Sequence, residues 1–270
     1  MNKVKLIAEV GWNHMGNMDL GRKMIEAAAE NGADIVKFQT WSEKKLKPGP
    51  WDQDGRREIY YQAQLSEKDH IFLKKTCDEN NVEMLTSVFN VDDLDYLSTL
   101  GMDMIKIPSH EVHNINLISK ASKLFNIILI STGASNWFEV TKILKKVSAE
   151  KLILMHCVSA YPCRPENINL PKIQKLFKLT KCVGYSGHYF GIDDALAAIC
   201  MGATYIEKHF TIDRSLPGRD NRFAILPKEL QKMAEFRANY EFMNLDRGID
   251  LQECEMDVYK KYRGRWSSDG

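Results

Sequence analysis

Two histidines stand at equivalent places in consecutive strand patterns. His188 follows Cys182-Val183-Gly184-Tyr185-Ser186, and His209 follows Ala203-Thr204-Tyr205-Ile206-Glu207-Lys208. One strand-plus-helix unit separates them. In a parallel sheet a crossover of that length returns the chain beside the strand it left, so the two imidazoles can face one site. Side chains alternate along a strand, which puts Ser186 on the face of His188 and Glu207 on the face of His209. Polar groups turned towards an interior need partners. A bound metal ion is one reading, since imidazole is the commonest metal ligand, and two separately hydrogen-bonded histidines is the other.

Other strand ends carry similar groups. Glu9 closes the first pattern, Lys37 and Gln39 share a face of the second, and Lys106-Ile107-Pro108-Ser109 ends the fourth with Glu111 just beyond. Ser131-Thr132-Gly133 and Ser159-Ala160-Tyr161 end the fifth and sixth. A mid-strand lysine is costly to bury alone, and lysines converging with hydroxyls form a cradle for phosphate or carboxylate oxygens. For Ser87, Thr132 or Ser159 taken singly, a hydroxyl bonded to backbone is the plainer expectation. His14, His70, His110, His113 and His156 read as structural, His14 least firmly because it lies in the turn Gly11-Trp12-Asn13-His14-Met15-Gly16.

The elements that must hold these groups recur with a steady rhythm. Strand patterns run over Val4 to Val10, Asp34 to Gln39, Val82 to Val88, Asp103 to Pro108, Ile127 to Ser131, Leu152 to Cys157, Cys182 to Ser186 and Ala203 to His209, with a helical pattern after each. Ser66 and Asp69 form a capping box, and Gly32, Gly101 and Gly202 follow helical runs. Strict alternation predicts a single α/β domain, a (β/α)8 TIM barrel over residues 1–245, with 246–270 a short charged C-terminal tail. The active site of such a barrel lies at the C-terminal ends of its strands. Trp41 to Gln64 reads as a long functional loop after the second strand.

The 270 residues carry a formal net charge of +1, with 44% hydrophobic and 27% charged residues, which excludes a global pull towards nucleic acid or membrane. Six cysteines form no Cys-x-x-Cys pair, so free thiols in a reducing cytoplasm are expected. No signal peptide or membrane span is read.

The phrases Ile7-Ala8-Glu9-Val10-Gly11, Lys37-Phe38-Gln39-Thr40, Lys106-Ile107-Pro108-Ser109, Leu129-Ile130-Ser131-Thr132-Gly133, Ser159-Ala160-Tyr161-Pro162, Gly184-Tyr185-Ser186 and Ile206-Glu207-Lys208-His209-Phe210-Thr211 resemble, in order, those of the sialic acid synthase (N-acetylneuraminate synthase) family. The resemblance implies a barrel that condenses phosphoenolpyruvate with an acylamino sugar to a nine-carbon 2-keto acid, releasing phosphate. It implies a divalent metal, manganese first with magnesium or cobalt as alternatives, held by His188 and His209. It further implies phosphoenolpyruvate on Lys37, Lys106, Ser109, Ser131 and Ser186, and the open-chain sugar and water on Glu9, Gln39, Glu111, Tyr161 and Asp220, with Ser159 counted among the substrate-binding groups. A homodimer is expected.

Three departures bear on these expectations. Ser186-Gly187-His188 stands where the family usually has Ser-Asp-His, which would remove a carboxylate beside the metal. Pro217-Gly218-Arg219-Asp220-Asn221 stands for Pro-Gly-Pro-Asp-His. Most members also carry a small antifreeze-like C-terminal domain, and the chain stops about where it would begin. The loops Trp41 to Gln64 and Leu216 to Asn221 are then expected to grip the acceptor. Two other readings stay open: an octulosonate-phosphate type synthase using Arg164, Arg214 and Arg219 for a second phosphate, and a non-catalytic barrel acting as a binding subunit.

Overall fold

The structure, a computed structural model, describes residues 3–266. Eight parallel strands close on themselves: β1 (Lys5–Gly11), β2 (Ile35–Thr40), β3 (Glu83–Val88), β4 (Met104–Ile107), β5 (Ile127–Ser131), β6 (Leu152–Cys157), β7 (Cys182–Gly187) and β8 (Tyr205–His209). Each pairs with the next, and β8 pairs with β1. The helices are α1 (Met18–Glu30), α2 (Arg56–Ala63), α3 (Glu67–Glu79), α4 (Asp93–Ser98), α5 (Ile115–Leu124), α6 (Trp137–Ile143), α7 (Lys172–Leu176), α8 (Asp193–Cys200), α9 (Pro227–Met243) and α10 (Met256–Lys261). The expected barrel is therefore present.

Local chemistry starts the helices where the sequence marks them. Asn17 accepts from the Leu20 amide at the head of α1, and Ser66 with Asp69 closes a capping box on α3. Each such cap stabilises its helix by about 1 kcal/mol.

Alternation along the strands divides the apolar residues between two cores. Outward side chains such as Leu6, Val36, Phe38, Ile105, Ile130 and Val183 pack under the helices in the main core. Inward ones, Ile7, Ile35, Leu85, Met104, Leu129, Ile153 and Met155, fill the lower barrel as a separate cluster. Above that plug, one residue pair further along the strands, the inward positions become Glu9, Lys37, Ser87, Lys106, Ser131, Cys157, Ser186 and Glu207. The apolar floor excludes water from below, so these polar groups must satisfy one another or a ligand.

Two segments differ from expectation. The stretch after β2 is folded: two 3-10 turns, Glu43–Lys45 and Pro50–Gln53, lead into α2, which adds a helix to the alternating pattern. Ile59, Tyr60 and Ala63 pack it on Trp12 and Trp41. Gly16, at φ 75°, lets the turn after β1 pass beneath it, and a Cβ there would lie 2.2 Å from the Gln62 carbonyl oxygen. The charged tail also contains a short helix, α10. Its last residues, 267–270, lie outside the described residues.

Candidate active site

Barrel closure brings four buried charges into one chain. The Lys37 ammonium lies 2.8 Å from Glu9 Oε2 and 3.7 Å from Glu207 Oε1, and Lys106 lies 2.7 Å from Glu207 Oε2. All four side chains are nearly inaccessible to solvent. Hydroxyls complete the set: Lys37 donates to Ser87 Oγ at 2.8 Å, and Ser186 donates to Glu207 Oε1 at 2.9 Å. Gln39 donates to Glu9 Oε1 at 2.6 Å.

Burial raises the Glu207 carboxyl, but Lys106 and Lys37 outweigh it and hold the group at about 2. Glu9 goes the other way, burial pushing it up against the pull of Lys37. Burial also lowers Lys106, and Glu207 opposes it. Lys37 is raised, because Glu207 and Glu9 overcome its desolvation.

The two histidines cap this layer, their ring centroids 5.4 Å apart. His188 Nδ1 sits 2.8 Å from the Val158 carbonyl. A carbonyl only accepts, so Nδ1 carries a proton; burial lowers the ring's pKa, but Cys157 and the Val158 carbonyl outweigh it and raise it overall. His209 is buried, with Nδ1 lacking a hydrogen-bond partner and lying 3.4 Å from Asp220 Oδ2. Burial and then His188 lower it well below the usual imidazole range, so it is neutral. Burial raises Asp220 to about 7 against the opposing pull of His188. Tyr161 lies against His188 at 4.1 Å between rings, and Phe223 against His209 at 5.1 Å.

Among the described residues no group of three or more His, Cys, Asp or Glu gathers as a metal cluster. His188, whose Nε2 offers a lone pair once it gives up its proton, and His209, neutral with an unmatched buried nitrogen, nonetheless fit a divalent cation with open positions for substrate and water.

Hydroxyls gather over β5 and β6. Gly133 donates its amide to Ser109 Oγ at 3.2 Å. A Cβ on Gly133 would meet Ser159 Oγ at 2.5 Å, Ser109 Oγ at 2.8 Å and Cys157 Sγ at 3.1 Å, so the cradle exists only because residue 133 has no side chain. Ser131 is buried just below, at the end of β5. Glu111 stands apart, half-buried and accepting from Asn114 Nδ2 at 2.9 Å, in a cap of α5.

Several expectations change. Neither lysine is an unpartnered charge, for Glu9 lies against Lys37 and Glu207 against Lys106. Glu207, absent from the assigned roles, is the centre of the network, and Ser87 is a lysine acceptor instead of bonding backbone. Both were visible as inward residues by alternation. Gly187 does not cost the site a carboxylate: it faces outward, where a Cβ would lie 2.2 Å from Asp194 Oδ2. Arg214 is held by Glu229 and by the Ala224 carbonyl, and Arg219 reaches Asp54, so neither is turned to a second phosphate. Thr132 bonds the Met155 carbonyl, His70 bonds Thr40 and the Ser66 carbonyl, and His156 bonds the Ile168 carbonyl, as the plainer readings expected.

Fold and site together define a class, a (β/α)8 barrel with polar, charged machinery at the C-terminal mouth of its strands. The chain belongs to the NeuB family, whose model matches residues 24–246. It is 35% identical to N,N'-diacetyllegionaminic acid synthase of Campylobacter jejuni, over 86% of this chain and 75% of that one. It is 31% identical to N-acetylneuraminate-9-phosphate synthase of Drosophila melanogaster, over 91% and 68%. The N-acetylneuraminic acid synthetase structure from Leptospira borgpetersenii superposes with a TM-score of 0.87 at 30% identity, covering 97% of this chain and 93% of that one. The chain is thus sialic, legionaminic or pseudaminic acid synthase-like. No described helix is long and apolar enough to cross a membrane.

Proposed function

We propose that the chain condenses phosphoenolpyruvate with an open-chain, unphosphorylated acylamino sugar, giving a 2-keto acid and inorganic phosphate by carbon–oxygen cleavage. The observation that carries this reading is the buried Glu9–Lys37–Glu207–Lys106 layer lying directly beneath His188 and His209. Family membership supplies the reaction class.

His188 and His209 would hold a divalent cation, manganese first, which supplies Lewis acidity towards the sugar aldehyde. The chain's own residues do the remaining work. Lys106 has Glu207 as its hydrogen-bond partner among the described residues, which leaves two N–H directions for phosphate or carboxylate oxygens. Lys37 is engaged by Glu9, Ser87 and Glu207, so its part is to hold those groups in place. Ser109, Ser131 and Ser159 add donors around the enol phosphate, while Ser186 directs its one hydroxyl proton to Glu207 below it.

Carbon 3 of the enol attacks the aldehyde carbon, and the aldehyde oxygen takes a proton. Asp220, raised to about 7 by burial, is able to hold one at Oδ2 beside His209. Water adds to carbon 2, giving up a proton, and phosphate leaves from the tetrahedral intermediate. Gln39 keeps the Glu9 carboxylate oriented for sugar hydroxyls or that water.

Engagement of Arg214 and Arg219 favours the unphosphorylated acceptor over the octulosonate-phosphate reading. The test is phosphate release from phosphoenolpyruvate, with and without Mn2+, in the presence of N-acetylmannosamine or arabinose 5-phosphate. Metal-dependent release with the acylamino sugar is expected. Preference for the phosphorylated aldose would overturn the acceptor assignment, and silence with a broad acceptor panel would favour the binding-subunit reading.

A further inference from the structure

Behind the site, on the outer face of the barrel wall, lies a second buried ion pair that the proposed reaction does not use. Lys208 stands between Glu207 and His209, but its side chain points the other way and is 2% exposed. Its ammonium lies 3.0 Å from both Asp194 Oδ1 and Asp194 Oδ2, and donates to the Tyr189 carbonyl at 2.8 Å. Asp194 comes from the first turn of α8 and accepts from the Tyr185 hydroxyl at 2.8 Å. Such a pair is costly to bury unless the remaining valences are filled, and here they are. Its connectivity is specific. Tyr189 follows His188 and Lys208 precedes His209, so one ammonium ties the chain just past the first histidine to the residue just before the second.

We propose that the Asp194–Lys208 pair is a positioning device that fixes the separation of the His188 and His209 rings. Position 187 supports this independently. Gly187 is the register partner of Lys208 across β7 and β8, on the same outward face. A Cβ there would lie 2.2 Å from Asp194 Oδ2 and 2.5 Å from Tyr185 Cε1. The space beside Lys208 that a β7 side chain would occupy is filled by the α8 carboxylate and the edge of the Tyr185 ring that binds it. Strand and helix are therefore alternative sources of one counter-charge, and this chain uses the helix.

The experiment compares Asp194→Asn with a relocated-carboxylate variant, Gly187→Asp combined with Asp194→Ala. Two quantities are read on metal-free protein: the imidazole NMR signals of His188 and His209, and Mn2+ affinity by calorimetry. In Asp194→Asn both imidazoles should shift and Mn2+ binding should weaken about tenfold or more, the scale on which outer partners of metal ligands act. The relocated carboxylate should return both towards wild type. Only the calorimetric arm rests on the proposed metal site: wild-type protein that binds no Mn2+ would sink that reading, while the imidazole signals still decide the positioning role. Unshifted signals in folded Asp194→Asn overturn the inference, as does a folded relocated variant whose imidazoles stay displaced. If Asp194→Asn does not fold, the relocated variant decides alone; if neither folds, Lys208→Met combined with Asp194→Leu removes the pair as a unit, and unshifted imidazoles in that protein overturn the inference.

Discussion

Glu207 divides its two oxygens between two lysines, and the division predicts that those lysines will not respond alike to mutation. Lys106→Met leaves Glu207 held by Ser186 and Lys37, so the fold should survive while phosphoenolpyruvate affinity drops by about 1.5–3 kcal/mol per lost charged hydrogen bond. Lys37→Met instead leaves the buried Glu9 carboxylate with Gln39 alone. That variant should lose about 3–5 kcal/mol of stability, the usual cost of stranding one member of a buried pair. Calorimetric titration with phosphoenolpyruvate and denaturant unfolding separate the two effects; equal stability losses would contradict the assignment of Lys37 as the holding residue. At the rim, His188→Ala or His209→Ala should each abolish metal-dependent turnover with the barrel still folded. Unchanged Mn2+ affinity in either variant would remove that residue from the metal site.

At the scale of elements, the segment Trp41 to Gln64 was legible as a long insertion after the second strand but not as helical. Arg56–Ala63 offers only Ile59, Tyr60 and Ala63 to bury, too few for a clear period, and it is docking on Trp12 and Trp41 that holds the helix. The strands were legible because period-two alternation and apolar runs are local properties. The same alternation correctly turned Glu9, Lys37, Lys106, His188 and His209 inward, and it also turns residue 187 outward. Which carboxylate meets which lysine was not legible, since that depends on β1 lying between β2 and β8, a consequence of closure. Closure also joins the loops Trp41 to Gln64 and Leu216 to Asn221, where Arg219 reaches Asp54 at 3.2 Å. The Arg219–Asp54 pair is partly exposed and contributes no more than about 1 kcal/mol to stability. Asp54→Ala should therefore leave the melting temperature nearly unchanged while raising KM for the sugar several-fold with little change in kcat, the signature of lost uniform binding. Steady-state kinetics with the acceptor varied would show it, and a fall in kcat at constant KM would place the contact in the chemical step instead.

For the whole molecule, two buried histidines contribute to the loss of stability on mild acidification. His14 and His156 are both fully buried, and burial lowers each to about 4 from an ordinary value of 6.5. The sign follows from proton counting. Between pH 6.5 and 4 the unfolded chain takes up a proton at each ring and the folded chain does not, so stability present above pH 6.5 is lost as the pH falls through that window and levels off below it. Each ring contributes about 3 kcal/mol to that loss, on the scale of 1.36 kcal/mol per pKa unit. Asp220, raised to about 7, works in the opposite direction over part of the same range, so the slope of the wild type alone is not diagnostic. A difference measurement is. His156 lies away from the mouth, with Nε2 on the Ile168 carbonyl, a bond that a glutamine amide is able to replace. Unfolding free energies of wild type and His156→Gln, measured by urea at pH 7 and again at pH 4, should differ by a gap that shifts by about 3 kcal/mol in favour of the variant at the lower pH. A gap that does not move with pH would mean that His156 takes up its proton in the folded barrel.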